Sequence, residues 1–326
     1  MSGPTEWTAG PDAGDAPLVS IGVPAYNSAR FIRQSLESLL TQDYNNIELI
    51  VSDDGSTDET PEICAEITRR DARVVMVQGV HLGGRQNFNT VLRLARGKYF
   101  MWAADHDLWD KRFVSACVAA LEADQDAILA YARSALVDPG GSILAEMDDA
   151  LAIGQSRPID RYRWLIWRLE NCNAIYGLMR CEQLKGTGGY GAHPAPDHLV
   201  LAKMALRGRF IQIQHTMYFR RQNRPPERAE VQRRRQPFDL DPNEAGRWLS
   251  LPEGEYFRGL RNAHMSAVIA APISVGDKIL GLAATVACFR QRFGVRSRLW
   301  AAARRLLDLL PSALRRRALG VLEYGA

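Results

Sequence analysis

The chain has 326 residues, 46% hydrophobic and 24% charged, an ordinary globular usage that excludes a disordered, collagen-like or coiled-coil polypeptide. A formal charge of +4 is too small to name a polyanion partner. The 5 cysteines are scattered, with no CxxC pair, which excludes a zinc ribbon and suits a reducing cytoplasm.

Residues 1–16 carry no Lys or Arg and no apolar run, and predict a disordered leader rather than a signal peptide. Leu18–Val23 reads as a buried strand ending near Pro24. Ser28 is placed to cap a helix in which Phe31, Ile32, Leu36, Leu39 and Leu40 share a face. Ile47–Val51 is the next strand. After the turn DDGSTD, Ser56 and Glu59 stand at capping-box spacing, with Pro61 in the first turn of a second helix. Arg73–Val77 is a third strand, 86–96 a helix, and Tyr99–Ala103 a fourth strand that runs into Asp105-His106-Asp107. Further on come a strand pair around Pro139-Gly140-Gly141, a helix over Arg161–Glu170 and a strand over Cys172–Met179. The glycine-rich loop Gly186–Gly191 precedes Asp197 and a helix over His198–Arg207. Arg220–Arg235 reads as a loop, and the chain turns helical beyond Pro237.

Regular alternation of strand and helix implies a largely parallel sheet covered on both faces. In such sheets ligands bind beyond the carboxyl ends of the strands. The polar clusters Tyr26-Asn27, Asp53-Asp54 and Asp105–Asp107 all fall at those ends. In an extended chain, Asp105 and Asp107 point the same way, roughly 6.5–7 Å apart, a spacing suited to a hard cation and the phosphates it carries. Asp54 suits a carboxylate that accepts from a ribose or base, and the Asp53-Asp54-Gly55 run also suits a plain turn. Tyr26 can stack on a base or simply cover the helix start.

The segments VSIGVPAYN, ELIVSDDGSTDET, LARGKYFMWAADHD and PDHLVLAKMALRGR together resemble family 2 glycosyltransferases, over about Leu18 to Arg224. The resemblance implies an α/β fold of GT-A (Rossmann-like) type: a mixed sheet flanked by helices, with a helical C-terminal extension. It implies a glycosyltransferase domain over 17–236 and a helical region over 237–326. The activity implied is metal-dependent, inverting transfer from a nucleoside-diphosphate sugar to an acceptor hydroxyl, in cell-envelope polysaccharide or glycolipid synthesis. Pro24, Tyr26, Asp54, Arg85, Asp105, Arg220 and Arg221 are the implied donor contacts, Asp105 and Asp107 the ligands of Mg2+ or Mn2+, and Asp197 the catalytic base. Read without the resemblance, Asp197 is a helix N-cap and Arg220-Arg221 a solvated loop.

The sequence departs from the family pattern in places. His81 and Phe88-Asn89 stand where relatives carry Asn and Arg-Asn, so Arg85 is offered as a substitute, and Gln222 stands near where some relatives carry a further His ligand. His215 falls in an alternating run that suits a strand.

The longest mostly apolar run, Ile279–Phe289, is well short of the ~20 residues a membrane span needs. Leu299–Leu314 has helical apolar spacing among arginines, a pattern for an anionic membrane surface or for packing on the body. The expected partners are therefore a sugar-nucleotide donor, a saccharide or lipid-linked acceptor and an anionic membrane surface, without nucleic acid. The expected location is cytoplasmic, peripheral on the inner membrane face. The rivals are a catalytically inactive nucleotide-sugar-binding scaffold and a sugar-phosphate nucleotidyltransferase, whose Gly-rich opening loop VPAYNSAR lacks.

Overall fold

The computed structural model describes residues 16–222 and 253–294. The expected leader, the 223–235 part of the expected loop and the Leu299–Leu314 stretch lie outside the described residues.

The first half runs β1 (Val19–Ala25), α1 (Ile32–Leu40), β2 (Ile47–Asp53), α2 (Thr60–Arg70), β3 (Val74–Gln78), α3 (Gly84–Leu94) and β4 (Tyr99–Trp102). β3, β2, β1 and β4 lie side by side and parallel, with Val19 opposite both Ile47 and Tyr99. β1 and β2 are buried along their whole length, as continuous apolar strands of a twice-covered sheet require. Alternation divides their side chains. Ile21, Val23, Leu49 and Val51 pack with α1, α2 and α4, while Ile50, Phe100 and Trp102 pack with α3, α5 and α7. Gly22 lets α3 sit close, because a Cβ there would stand 2.7 Å from Val91 Cγ2.

The second half is antiparallel or mixed. It comprises β5 (Leu108–Trp109), α4 (Phe113–Ala123), β6 (Ala127–Val137), β7 (Ile143–Glu146), α5 (Pro158–Arg168), β8 (Leu178–Arg180), α6 (Cys181–Lys185), α7 (Pro196–Ala205) and β9 (Arg209–Arg221). The sheet order is β3-β2-β1-β4-β8-β6-β9-β5, with β7 on β6. The chain first builds outward from β1 to β3 and then crosses to β4 on the other side. The strand order therefore reverses between β1 and β4, which opens a crevice at their carboxyl ends.

Two helices complete the described residues: α8 (Glu253–Ala270) and α9 (Val275–Phe293). Ser274 caps α9 by accepting from the Asp277 N–H at 3.1 Å, and Gly294 ends it with a left-handed φ of 62°. α9 runs alongside α5: Arg157 pairs with Asp277 at one end, and Arg292 donates to the Ile166 and Leu169 carbonyls at the other.

Several expectations change. Ser28 and Ser56 do not cap helices: α1 starts after Phe31 and α2 after Glu59, neither with a side-chain cap. Cys172–Met179 is not one strand but a 3₁₀ turn at Asn173–Tyr176 followed by β8. Arg220 and Arg221 end β9 rather than open a loop, because Leu136 and Val137 of β6 pair with them. α4 and β5 occupy the stretch between Asp107 and Ala127, where the sequence reading places no element.

Candidate active site

β1 and β2 deliver their exits to one edge of the crevice. Asn27 takes a left-handed φ of 50°, which Asn tolerates, and turns the chain away from the sheet. Its backbone N–H donates to Ser56 Oγ at 2.9 Å, and its Oδ1 accepts from the Thr57 N–H at 2.9 Å. The two aspartates after β2 have separate tasks. Asp53 accepts from the Ser56 hydroxyl and backbone and so holds the turn. Asp54, 5% exposed, reaches the loop after β3 and accepts from the Leu82 and Gly83 N–H groups, each at 2.8 Å. His81 Nδ1 lies 2.9 Å from the same carboxylate, and its ring stacks on Tyr26 at 4.3 Å between centroids. His81 thus joins the site, although sequence reasoning treated its position only as a departure; its signal was its place directly after the third strand. Arg85 stands half-buried on the first turn of α3, two residues past Gly83. Pro24 is buried inside β1, in register with Ser52 of β2.

Asp105 and Asp107 follow β4. Asp105 accepts from the Tyr26 N–H at 3.4 Å, from the Ser28 hydroxyl and from His106 Nδ1 at 2.7 Å. Asp107, 2% exposed, accepts from Tyr218 Oη at 2.5 Å and from the Arg221 N–H at 2.8 Å. Burial works against the His106 cation, yet Asp107 and Asp105 outweigh it and push its pKa up to about 9. Every oxygen of the two carboxylates already accepts a hydrogen bond. Among the described residues no group of three His, Cys, Asp or Glu side chains is arranged to hold a metal ion. Both Asp107 oxygens and Asp105 Oδ1 keep a second lone pair, so Asp105 and Asp107 are the carboxylates that would hold Mg2+ or Mn2+, with water and donor phosphates supplying the other ligands.

Strand geometry separates the two arginines. Successive side chains of β9 point to opposite faces. Arg220 shares a face with Tyr218 and lies within electrostatic reach of Asp107, Tyr176 and Cys172. Arg221 turns the other way, stacks its guanidinium on Phe31 at 4.5 Å and donates to Gln34 at 2.7 Å. The expected arginine pair therefore supplies one cleft-facing cation.

Asp197 sits in the first turn of α7, behind Pro196. Burial raises its carboxyl above the ordinary range, against the His198 N–H, the Cys172 thiol and Arg220, which pull it down. Desolvation likewise raises the half-buried Cys172 thiol well above its usual value, and Asp197 adds to that. Ala195, just before the helix, has a left-handed φ of 45°, unfavourable for a residue with a Cβ. Asp54, His81, Tyr26, Asp105, Asp107, Arg220 and Asp197 thus form one continuous run along the crevice, each within contact or electrostatic reach of the next.

Residues 20–176 match the model described as glycosyl transferase family 2. Over that segment the chain is similar to family 2 glycosyltransferases. It is 32% identical over 129 residues to a chondroitin synthase of Escherichia coli, covering 40% of this chain and 19% of that one. The chain spans 13% to 38% of the length of the curated relatives it matches. Among solved structures it resembles S. aureus TarS 1-349 in complex with UDP-GlcNAc, with TM-score 0.62 and 19% identity, over 94% of this chain and 88% of that one. It also resembles the mannosyltransferase PcManGT of Pyrobaculum calidifontis in complex with GDP-Man and Mn2+, with TM-score 0.50 and 21% identity, over 98% and 88% of the two chains. These likenesses establish the GT-A fold. Among the described residues no helix is long and apolar enough to cross a membrane.

Proposed function

We propose that the protein transfers a glycosyl group from a nucleoside-diphosphate sugar to an acceptor hydroxyl, with inversion at the anomeric carbon. The observation that carries the reading is the position of Arg220, whose charge acts on both Asp107 and Asp197 from a single β9 face. In this reading, Tyr26, His81 and Asp54 form the nucleoside end of the crevice, and Arg85 stands beside it. The diphosphate lies toward Arg220, whose planar cation suits phosphate oxygens.

Asp197 takes the proton from the acceptor hydroxyl as its oxygen attacks the anomeric carbon. The bond from that carbon to the diphosphate oxygen breaks, and the electron pair leaves with the diphosphate. Arg220 stabilises the charge that develops there. A raised Asp197 pKa suits this role, since a carboxylate in a dry site is a stronger base than one in water.

A UDP-sugar donor is the specific choice, supported by the likeness to TarS in complex with UDP-GlcNAc. In the same reading the acceptor is a saccharide or lipid-linked acceptor of the cell envelope, which the chondroitin synthase likeness supports, and residues 17–236 are the glycosyltransferase domain. The arginines between 290 and 317 support attachment to an anionic membrane surface at the cytoplasmic face. Calorimetry of UDP binding with and without Mn2+ tests the donor end. A donor site built on Arg220 alone keeps its affinity in chelator, whereas strict dependence on Mn2+ would show that Asp105 and Asp107 bind donor through an ion.

A further inference from the structure

The base proposed above stands on a helix start that the C-terminal helices hold. Ala195 packs against the cluster of Leu260 on α8 and Phe289 on α9, which Phe257 and Phe293 also flank. Leu199, one turn on, packs with Ala263 and Ala267 of α8. Between them, His198 Nδ1 and His264 Nε2 stand 3.0 Å apart, with His264 fully buried. Tyr256 of α8 lies close enough to Asp197 for its hydroxyl to sense that charge.

The histidine contact belongs to a longer chain whose polarity can be worked out from its far end. Thr285 donates to the Gly281 carbonyl at 2.7 Å, so its oxygen accepts from Tyr162 Oη at 2.7 Å. Tyr162 oxygen then accepts from His264 Nδ1 at 3.2 Å, which leaves His264 Nε2 to accept from His198 Nδ1. Both rings are neutral in this arrangement. It leaves His198 Nε2 as a bare acceptor, and that atom is buried with no hydrogen-bond partner among the described residues. A directed chain thus ties α7 to α8, α5 and α9 directly behind Asp197.

We infer that His264 is a positioning residue for the reaction: through His198 it fixes the first turn of α7, so that helices α8 and α9 set where the Asp197 carboxylate stands. The inference rests on the reading of Asp197 as the base. The groups that face Asp197 are Cys172 and Tyr176 from the 3₁₀ turn, Tyr190 from the glycine-rich loop, Arg220 from β9, Tyr256 from α8 and its neighbour His198. If α8 lets go, water reaches this corner and the carboxyl falls back toward its ordinary range. The acid limb of turnover then moves to lower pH while the nucleoside end is untouched.

The test uses the full chain, hydrolysis of a panel of UDP- and GDP-sugars with water as acceptor, UDP affinity by calorimetry, and alkylation of Cys172 by iodoacetamide followed by mass spectrometry. Cys172 is the one free cysteine that is not buried, and it contacts Asp197. In His264→Leu, turnover is expected to fall about tenfold to a hundredfold. UDP affinity stays within about twofold, the acid limb shifts down and Cys172 reacts faster. His264→Gln, whose amide oxygen can still accept from His198, recovers most of each change. If His264→Leu does not fold, Tyr162→Phe must show the same directions at smaller size. The inference is overturned if UDP affinity falls in step with turnover, or if the acid limb and Cys172 reactivity stay at wild-type values. Asp197→Asn, assayed alongside, separates the two ideas: wild-type hydrolysis in that variant removes the base reading itself. If the wild-type chain hydrolyses none of the panel, the proposed function falls, and Cys172 reactivity alone decides whether α8 governs this corner.

Discussion

The two ends of the crevice are built by different physics. At the nucleoside end, short loops after β1, β2 and β4 stitch to one another through polar contacts: Asn27 to Ser56 and Thr57, Asp54 to Leu82 and Gly83, Asp105 to Ser28. At the acceptor end, Asp197 is held from behind by apolar packing and one buried histidine contact to helices far along the chain. A hydrogen-bonded edge that leaves Tyr26 and His81 at the surface suits a part that must admit a polar nucleotide. A packed corner desolvates the half-buried carboxyl it adjoins and raises its pKa, which suits proton abstraction.

The sharpest way to break this contrast is to remove the base without its packing. Asp197→Asn is expected to cut turnover by about 10²–10⁴-fold, the usual range for a general base. UDP affinity by calorimetry should stay unchanged; a parallel loss of binding would place Asp197 on the donor side. Next in size is the arginine pair. Arg220→Ala should lower turnover by about 10²–10³-fold, as for a lost charge stabiliser. Arg221→Ala should instead lower the thermal midpoint, since it loses a stack on Phe31 that contributes about 0.5–2 kcal/mol. Equal kinetic effects from the two variants would erase the distinction between the β9 faces.

Smaller effects sharpen the nucleoside end. Asp54→Ala leaves the Leu82 and Gly83 N–H groups without their acceptor and should cost about 1–3 kcal/mol in urea melts. Donor KM should rise more than kcat falls, because the base corner does not depend on that loop. An unchanged KM would make Asp54 a folding residue only.

The smallest and most diagnostic changes are those with pH. Asp197 works as a base only when deprotonated, and burial raises its pKa, so the acid limb of kcat should lie above the ~3.9 of an ordinary aspartate. Stability follows the histidine pair. Burial lowers His198 to about 4 in the folded chain, against ~6.5 when unfolded. Between those values only the unfolded chain binds the proton, so stability is full above ~6.5 and is lost as pH falls toward 4. A midpoint that does not drop between pH 7 and pH 4.5, or that drops equally in His198→Asn, would show that the pair is already charged.

The sequence predicted the strand-helix alternation and the placing of the polar clusters at strand ends, because apolar periodicity and turn chemistry are local properties. Asp54, Asp105, Asp107 and Asp197 were nameable for the same reason: each follows a hydrophobic run or opens a helix. Ser28 and Ser56 show where local reading stops. Both occupy cap positions in the sequence, yet their hydroxyls meet Asp105, delivered by another segment, and Asp53 of the same turn, since a nearby carboxylate competes with the helix end.

What composition and spacing determined by themselves was the class of fold and the edge of the sheet that carries the chemistry. Tertiary structure alone decided the rest. It chose which of two adjacent arginines faces the crevice, because that depends on the register of β9 against β6. It turned His81 from a departure into a partner of Asp54 and Tyr26. It also set α8 behind the base, a contact between residues 198 and 264. Strand register and long-range packing are cooperative properties of the whole chain, and no local window of residues contains them.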